Sequence, residues 1–182
     1  ELNLVNKLKF QIENSTQINE FEISILACYM PLNQSEIIKG KLLNYLSKNE
    51  LFNDLIKIQI KNTLVEQKLK NTIKSYEISD KISNIVRDQY EENPYPRWRY
   101  TDNDPKVNFF YEINSDISPN KIYPENEKFS PNILIAGCGT GQQLARRVDY
   151  KDSSILAIDL SMSSLAFAKR KMHELNIKNI EF

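Results

Sequence analysis

The chain has 182 residues, 24 basic and 24 acidic, for a formal net charge of zero, and 41% of it is hydrophobic. That length and apolar content suffice for one or two small globular units, while the balanced charge removes any bulk attraction to nucleic acid or an anionic membrane. No apolar run nears the ~20 residues of a membrane span and no secretory signal is visible. Cys28 and Cys138 are too few and too far apart for a disulfide framework or a zinc site, so a reducing cytoplasm is the expected compartment and no metal is expected.

Residues 1–89 read as an all-helical domain. Leu2, Val5, Leu8 and Ile12 recur at helical spacing, as do Phe21, Ile25, Leu26 and Tyr29. Pro31 should end that second helix. Asn33 and Glu36 have the spacing of a capping box for a third helix carrying Ile37, Leu42, Leu43 and Leu46. Residues 50–76 form a longer helical stretch with an interruption allowed. Ser79 or Asp80 is placed to cap a further helix through Ile82, Ile85, Val86 and Gln89. No repeat stands out at the ~34-residue period of tetratricopeptide units. Two roles fit such a domain: recognition of a substrate or protein partner, or a scaffold beside a C-terminal catalytic domain.

Residues 90–130 read as a linker or lid. Pro94 and Pro96 restrict the backbone to an extended path. Tyr90, Tyr95, Trp98 and Tyr100 add amphipathic rings, and Arg97 and Arg99 add planar cations. One reading is a linker docked by its aromatic side chains. Another is a lid in which Tyr95 or Trp98 shields a bound ligand's reactive group. Stacking on nucleic-acid bases is a third, and is not favoured. Further on, Val107, Phe109 and Tyr111 alternate as a short strand would.

Residues 131–182 carry the chemistry. The apolar run Ile133 to Ala136 is of the kind expected of a strand covered on both faces. Glycines stand at 137, 139 and 141, where a sharp strand-to-helix turn needs φ > 0 and a ligand can lie against bare backbone. The next helix, about 141–148, presents free N–H groups at its start, and Leu144 and Val148 should seat it on the sheet. A second apolar run ends in Asp159, 22 residues after Gly137, where a carboxylate can accept hydrogen bonds from both ribose hydroxyls. Dinucleotide sites favour G-x-G-x-x-G; here the pattern is G-x-G-x-G, and Gln142 stands in the third glycine position. Binding of a nucleotide-type cofactor is expected, with an aminoacyl-type nucleoside preferred because no pyrophosphate need be cradled.

Ser161 should cap the next helix, whose buried stripe is Met162, Leu165, Ala168, Met172 and Leu175. Lys169, Arg170 and Lys171 read as a solvated face, and His173, the only histidine, as exposed. No Ser-His-Asp or Cys-His arrangement can be built from it. Cys138 lies at a helix start that can lower a thiol pKa, though close packing is the preferred reason for a small residue there.

The blocks 133–143 (ILIAGCGTGQQ), 157–171 (AIDLSMSSLAFAKRK) and 87–98 (RDQYEENPYPRW) resemble a family of bacterial class I S-adenosylmethionine-dependent methyltransferases. In that family a helical, often tetratricopeptide-associated region precedes the catalytic domain. The resemblance covers about residues 85–182. It implies an α/β fold: an N-terminal all-helical region, then the first half of a Rossmann-like, doubly wound domain at 131–182. It also implies S-adenosylmethionine as cofactor. Gly137, Gly139 and Gly141 would line its methionine end, Asp159 would hold the ribose, and Leu160 would lie beside the adenine. Cys138, Thr140 and Gln142 complete the expected contact set. Many members carry an acid two residues before the first glycine, where this chain has Ile135.

Residues 179–182 read as the opening of a third strand, and about fifty residues after Pro131 are few for such a domain. The chain is therefore expected to be an inactive fragment of a longer methyltransferase, acting on an unidentified methyl acceptor, with no catalytic residue identifiable. Two alternatives stand beside this: a non-catalytic nucleotide-binding or protein-interaction module, and a nicotinamide-dependent oxidoreductase, disfavoured by the glycine spacing.

Overall fold

A computed structural model describes residues 2–101, 109–123, 130–147 and 153–182. The chain divides into two compact units, Glu1–Val65 and Glu66–Phe182. Residues 66–89, grouped with the helical region from the sequence, thus pack with the second unit.

The first unit is helical. It comprises α1 (Leu2–Asn14), α2 (Glu20–Ala27), a short 3-10 turn Leu32–Gln34, α3 (Glu36–Leu42) and α4 (Glu50–Ile56). A π turn, Lys57–Lys61, leads from α4 into α5 (Asn62–Lys70) and is the expected interruption. Side-chain caps define the starts: Asn19 accepts from Phe21 N and Glu22 N, Ser35 from Ile38 N, and Asn49 from Leu51 N. At the other end of α1, Lys41 Nζ donates to the carbonyls of Ile12, Glu13 and Ser15 at 2.6–2.8 Å, supplying partners that the helix cannot. The core is Ile12, Ile23, Leu26, Leu32, Ile38, Leu42, Phe52, Ile56 and Ile60.

Two local features differ from the sequence expectation. The Asn33–Glu36 capping box does not form, because the 3-10 turn draws Asn33 into itself and leaves Ser35 as the cap. Of the expected stripe Phe21, Ile25, Leu26 and Tyr29 only Leu26 is buried, and of Ile37, Leu42, Leu43 and Leu46 only Leu42. Helix α2 is short and is seated by Leu26 together with Ile23, three residues before it and also buried.

The second unit holds α6 (Lys81–Glu92), α7 (Phe109–Asp116), β1 (Asn132–Ala136), α8 (Gln142–Arg147), β2 (Ser154–Ile158), α9 (Met162–Glu174) and β3 (Ile180–Glu181). Its three strands are parallel in the order β1-β2-β3, with Ile133 opposite Ile155, Ile135 opposite Ala157, and Ile155 opposite Ile180. Parallel neighbours need crossover connections, and α8 and α9 lie within them. One sheet face, Ile133, Ile135, Ile155, Ala157 and Ile180, packs with Leu144, Leu165, Phe167, Ala168 and Met172 into a single cluster.

The other face is not covered as the apolar runs suggested. Leu134 is 62% exposed, and Leu156 and Ile158 are exposed too. Among the described residues the core cluster gathers on the opposite face. Val107 lies outside the described residues, and Phe109 and Tyr111 belong to a helix rather than a strand. The spacing Phe109, Ile113, Ile117 fits a helical period, and Ile117 N donates to Ile113 O at 2.9 Å. The Asn114 side chain then ties both backbone groups of Ile122, closing the following turn. Helix α8 spans most of the expected helix, with Leu144 fully buried; Val148 lies outside the described residues.

Candidate functional site at the ends of the parallel strands

At the end of β1 the chain turns onto its neighbour. Gly137 N and Cys138 N both donate to Ile158 O, the last carbonyl of β2, at 2.8 and 3.1 Å. Gly141 N then closes onto Cys138 O at 3.0 Å. The turn holds Gly137, Gly139 and Gly141 at φ of 71°, 53° and 77°, the left-handed region where only glycine is unstrained.

The three glycines divide by what surrounds them. A β-carbon on Gly137 or Gly139 would meet no atom within 4 Å, so these two present bare backbone to open space. A β-carbon on Gly141 would stand 2.8 Å from the Ala168 Cβ. Gly141 is buried against α9, where the missing side chain lets the turn approach that helix closely.

Asp159 follows β2 and binds the turn from the other side. One carboxylate oxygen accepts from Gly139 N at 2.8 Å, the other from Ser161 N at 2.9 Å. Each oxygen keeps a second acceptor site. Ser161 caps α9 as expected, accepting from Ser164 N at 3.0 Å. Leu160, beside Asp159, is exposed, and Gln142 is exposed at the start of α8.

Cys138 and Thr140 face elsewhere. Burial, helped by the Asp159 charge, pushes the Cys138 thiol up to about 12, so it is an inert packing group and not an activated thiol. Thr140 is buried, and its hydroxyl donates to Pro96 O at 2.7 Å.

That contact shows how residues 93–101 are used. The Trp98 indole donates to Thr140 O at 2.9 Å, stands edge-on to Phe167, and is only 8% exposed. Trp98 is therefore an anchor behind the glycine turn and not a lid, since its ring is enclosed by core groups. Tyr95, the other ring expected to serve as a lid, is exposed.

The basic run on α9 is not the solvated face that its sequence suggested. Arg170 and Lys171 are buried. Arg170 Nε donates to Glu66 at 2.8 Å, and Arg97 donates to both oxygens of the same carboxylate at 2.9 Å. Both guanidinium groups lie over the Phe167 ring. Lys171 sits over the Trp98 ring, 4.6 Å from its centroid, and donates to Arg99 O. Lys169 reaches Thr72, and His173 is exposed as expected.

A cavity of about 330 Å³ opens over this turn, lined by Gly137, Asp159 and Leu160 and, from α6, by Val86, Arg87 and Tyr90. A second, of about 1210 Å³, shares Arg87, Asp159 and Leu160 and runs along α9 toward Tyr76 and Ile177. Helix α6 has no buried residue, yet Glu91 holds it in place. One oxygen of that carboxylate accepts from Ser163 N at 2.8 Å and Ser161 Oγ at 3.1 Å, and the other from Lys70 at 2.6 Å. Burial pushes the Glu91 carboxyl up, but the bonds from Lys70 and Ser163 outweigh it and hold it below the usual range. Sequence reasoning missed Arg87, Glu91 and Glu66. Two signals bear on Arg87 and Glu91, their place in the block 87–98 and their helical spacing with Val86 and Tyr90; nothing local marks Glu66.

Among the described residues no three metal-ligating side chains cluster, and no helix is long and apolar enough to cross a membrane. No family model and no curated protein matches the chain. One solved structure similar to it is a coclaurine N-methyltransferase bound to N-methylheliamine and SAH, at 16% identity and a TM-score of 0.34. The match covers 99% of this chain and 49% of that one, so the chain spans about half the length of the structure it matches.

Proposed function

We propose that the second unit carries a Rossmann-like S-adenosylmethionine site and that the protein is a methyltransferase. The observation that carries this reading is the bare backbone of Gly137 and Gly139 facing open space beside Asp159, with Gly137 and Asp159 lining a cavity of about 330 Å³. That volume lies at the lower end of the ~300–1,000 Å³ typical of small-molecule sites. The strand order β1-β2-β3 also fits one half of a doubly wound sheet, in which ligands bind beyond the carboxyl ends of the strands.

The residues present fit such a cofactor. Gly137 and Gly139 let it approach the main chain, Asp159 has acceptor sites left for ribose hydroxyls, and Leu160 offers an apolar side chain for the adenine. When bound, the cofactor supplies a methyl group already activated on a sulfonium, for in-line displacement by a nucleophile. The protein's task is then positioning and exclusion of water.

The test is calorimetric titration of the chain with S-adenosylmethionine and, separately, with NAD. Asp159→Asn is the matched variant: the charge is lost, the amide oxygen keeps one of the two main-chain bonds, to Gly139 N or Ser161 N, and the NH2 group stands where the other acceptor was. Circular dichroism establishes that both versions are folded. Asp159→Asn is expected to weaken S-adenosylmethionine binding ~10-fold or more, the effect of losing a charge-assisted hydrogen bond. Binding of NAD alone would overturn the reading.

A further inference from the structure

We propose that Arg87 on α6 receives the carboxylate of the bound cofactor, making the site selective for adenosyl ligands that carry an amino-acid end. The inference rests on the cofactor reading above. Ile135, where an acid is common in the family this chain resembles, packs against the core cluster. Ile135 offers no charge to the ligand's amino group, which leaves the ligand's carboxylate as the charged group by which its amino-acid end can be held.

Among the described residues Arg87 is the one cation lining the cavity over Gly137, and it lines the adjoining cavity beside Asp159 and Leu160 as well. Its position is fixed by its own helix. Glu91, four residues on and so on the same face, is bound to Ser161 and Ser163 at the start of α9, immediately after Asp159. That clamp turns the Arg87 face of α6 toward the strand ends. Val86 and Tyr90, also four apart, line the same cavity from that helix.

The Arg87 guanidinium donates from Nε and Nη2 to Asp88 Oδ1, at 2.9 and 2.7 Å. The Asp88 side chain is 67% exposed, so this pair is of the weak surface kind. A guanidinium has five N–H donors in a planar fork that matches a carboxylate. Two serve Asp88, and the fork can take a second carboxylate.

The experiment compares S-adenosylmethionine with its decarboxylated form by calorimetry, using wild type, Arg87→Gln and Arg87→Lys. Arg87 lies on a helix with no buried residue, so neither variant removes core packing. Wild type is expected to favour S-adenosylmethionine ~10-fold or more, as a bond between two charged groups implies. Arg87→Gln should abolish that preference by weakening S-adenosylmethionine alone, and Arg87→Lys should keep part of it. Equal affinity of wild type for the two ligands would sink the Arg87 assignment and leave the cofactor reading standing. So would equal weakening of both by Arg87→Gln. Failure of wild type to bind either ligand would remove both.

Discussion

At Gly141 a new β-carbon would press on the Ala168 Cβ at 2.8 Å and on the Ala168 backbone at 3.3 Å, neither of which can swing away. Gly141→Ala adds overpacking to left-handed backbone strain and is expected to destabilise the second unit by about 2–4 kcal/mol. Gly137→Ala meets open space and should lose only the backbone share, about 1–2 kcal/mol, while lowering ligand affinity. Urea denaturation read at Trp98 distinguishes them, and equal stability of the two variants would refute the division of roles. The left-handed turn was legible from glycine spacing; the identity of the glycine against α9 was not, because Ala168 lies 27 residues away. At Cys138 the folded pKa, about 12, lies above the ordinary 9.0. The neutral thiol is favoured in the fold, so its stability contribution is full below about pH 9 and is lost as pH rises toward 12. At pH 8 a thiol reagent should label the exposed Cys28 in the native chain and leave Cys138 unmodified until denaturant is added. Native labelling of both would contradict the burial.

Single helices show which features are local. Asp80 and Ser161 cap α6 and α9 through bonds to the residue three positions on, and such caps can be read from spacing. The charged run on α9 could not be, since its partners are distant: Glu66, which Arg170 shares with Arg97, stands 104 residues before it. Without that carboxylate Arg170 would be buried with Glu174 as its remaining acid. Glu66→Ala is expected to cost about 3 kcal/mol, at the low end for breaking a buried pair because Glu174 remains. Chemical denaturation checks this, and a change below about 0.5 kcal/mol, the range of ordinary surface substitutions, would mean that the pair is not buried in solution.

Across the whole molecule, Trp98 is the only tryptophan and is enclosed in the second unit's core, so its fluorescence reads the folding of that unit. A ligand that binds only the folded form raises stability by RT ln(1 + [L]/Kd), about 2.7 kcal/mol at one hundred times Kd. S-adenosylmethionine should therefore raise the Trp98 thermal midpoint in a concentration-dependent way, and NAD should not. An unmoved midpoint at millimolar S-adenosylmethionine would count against the site. The same tryptophan, read from sequence as a linker ring or a lid, acquires its role only from Thr140 and Phe167, 42 and 69 residues away.

The local pieces are legible in the sequence: the helices other than α7, the caps at Asp80 and Ser161, the strand–glycine turn–helix unit, the carboxylate after β2, and the third strand. Each depends on neighbours within a few residues, so periodicity and residue type suffice. Tertiary packing settles which faces are buried, that Gly137 lines a cavity while Gly141 is packed, and that α6 lines that cavity too. Those outcomes depend on side chains meeting across tens of residues of chain. Composition and spacing carry no record of such meetings, because many helix faces are apolar enough to be buried and packing selects among them.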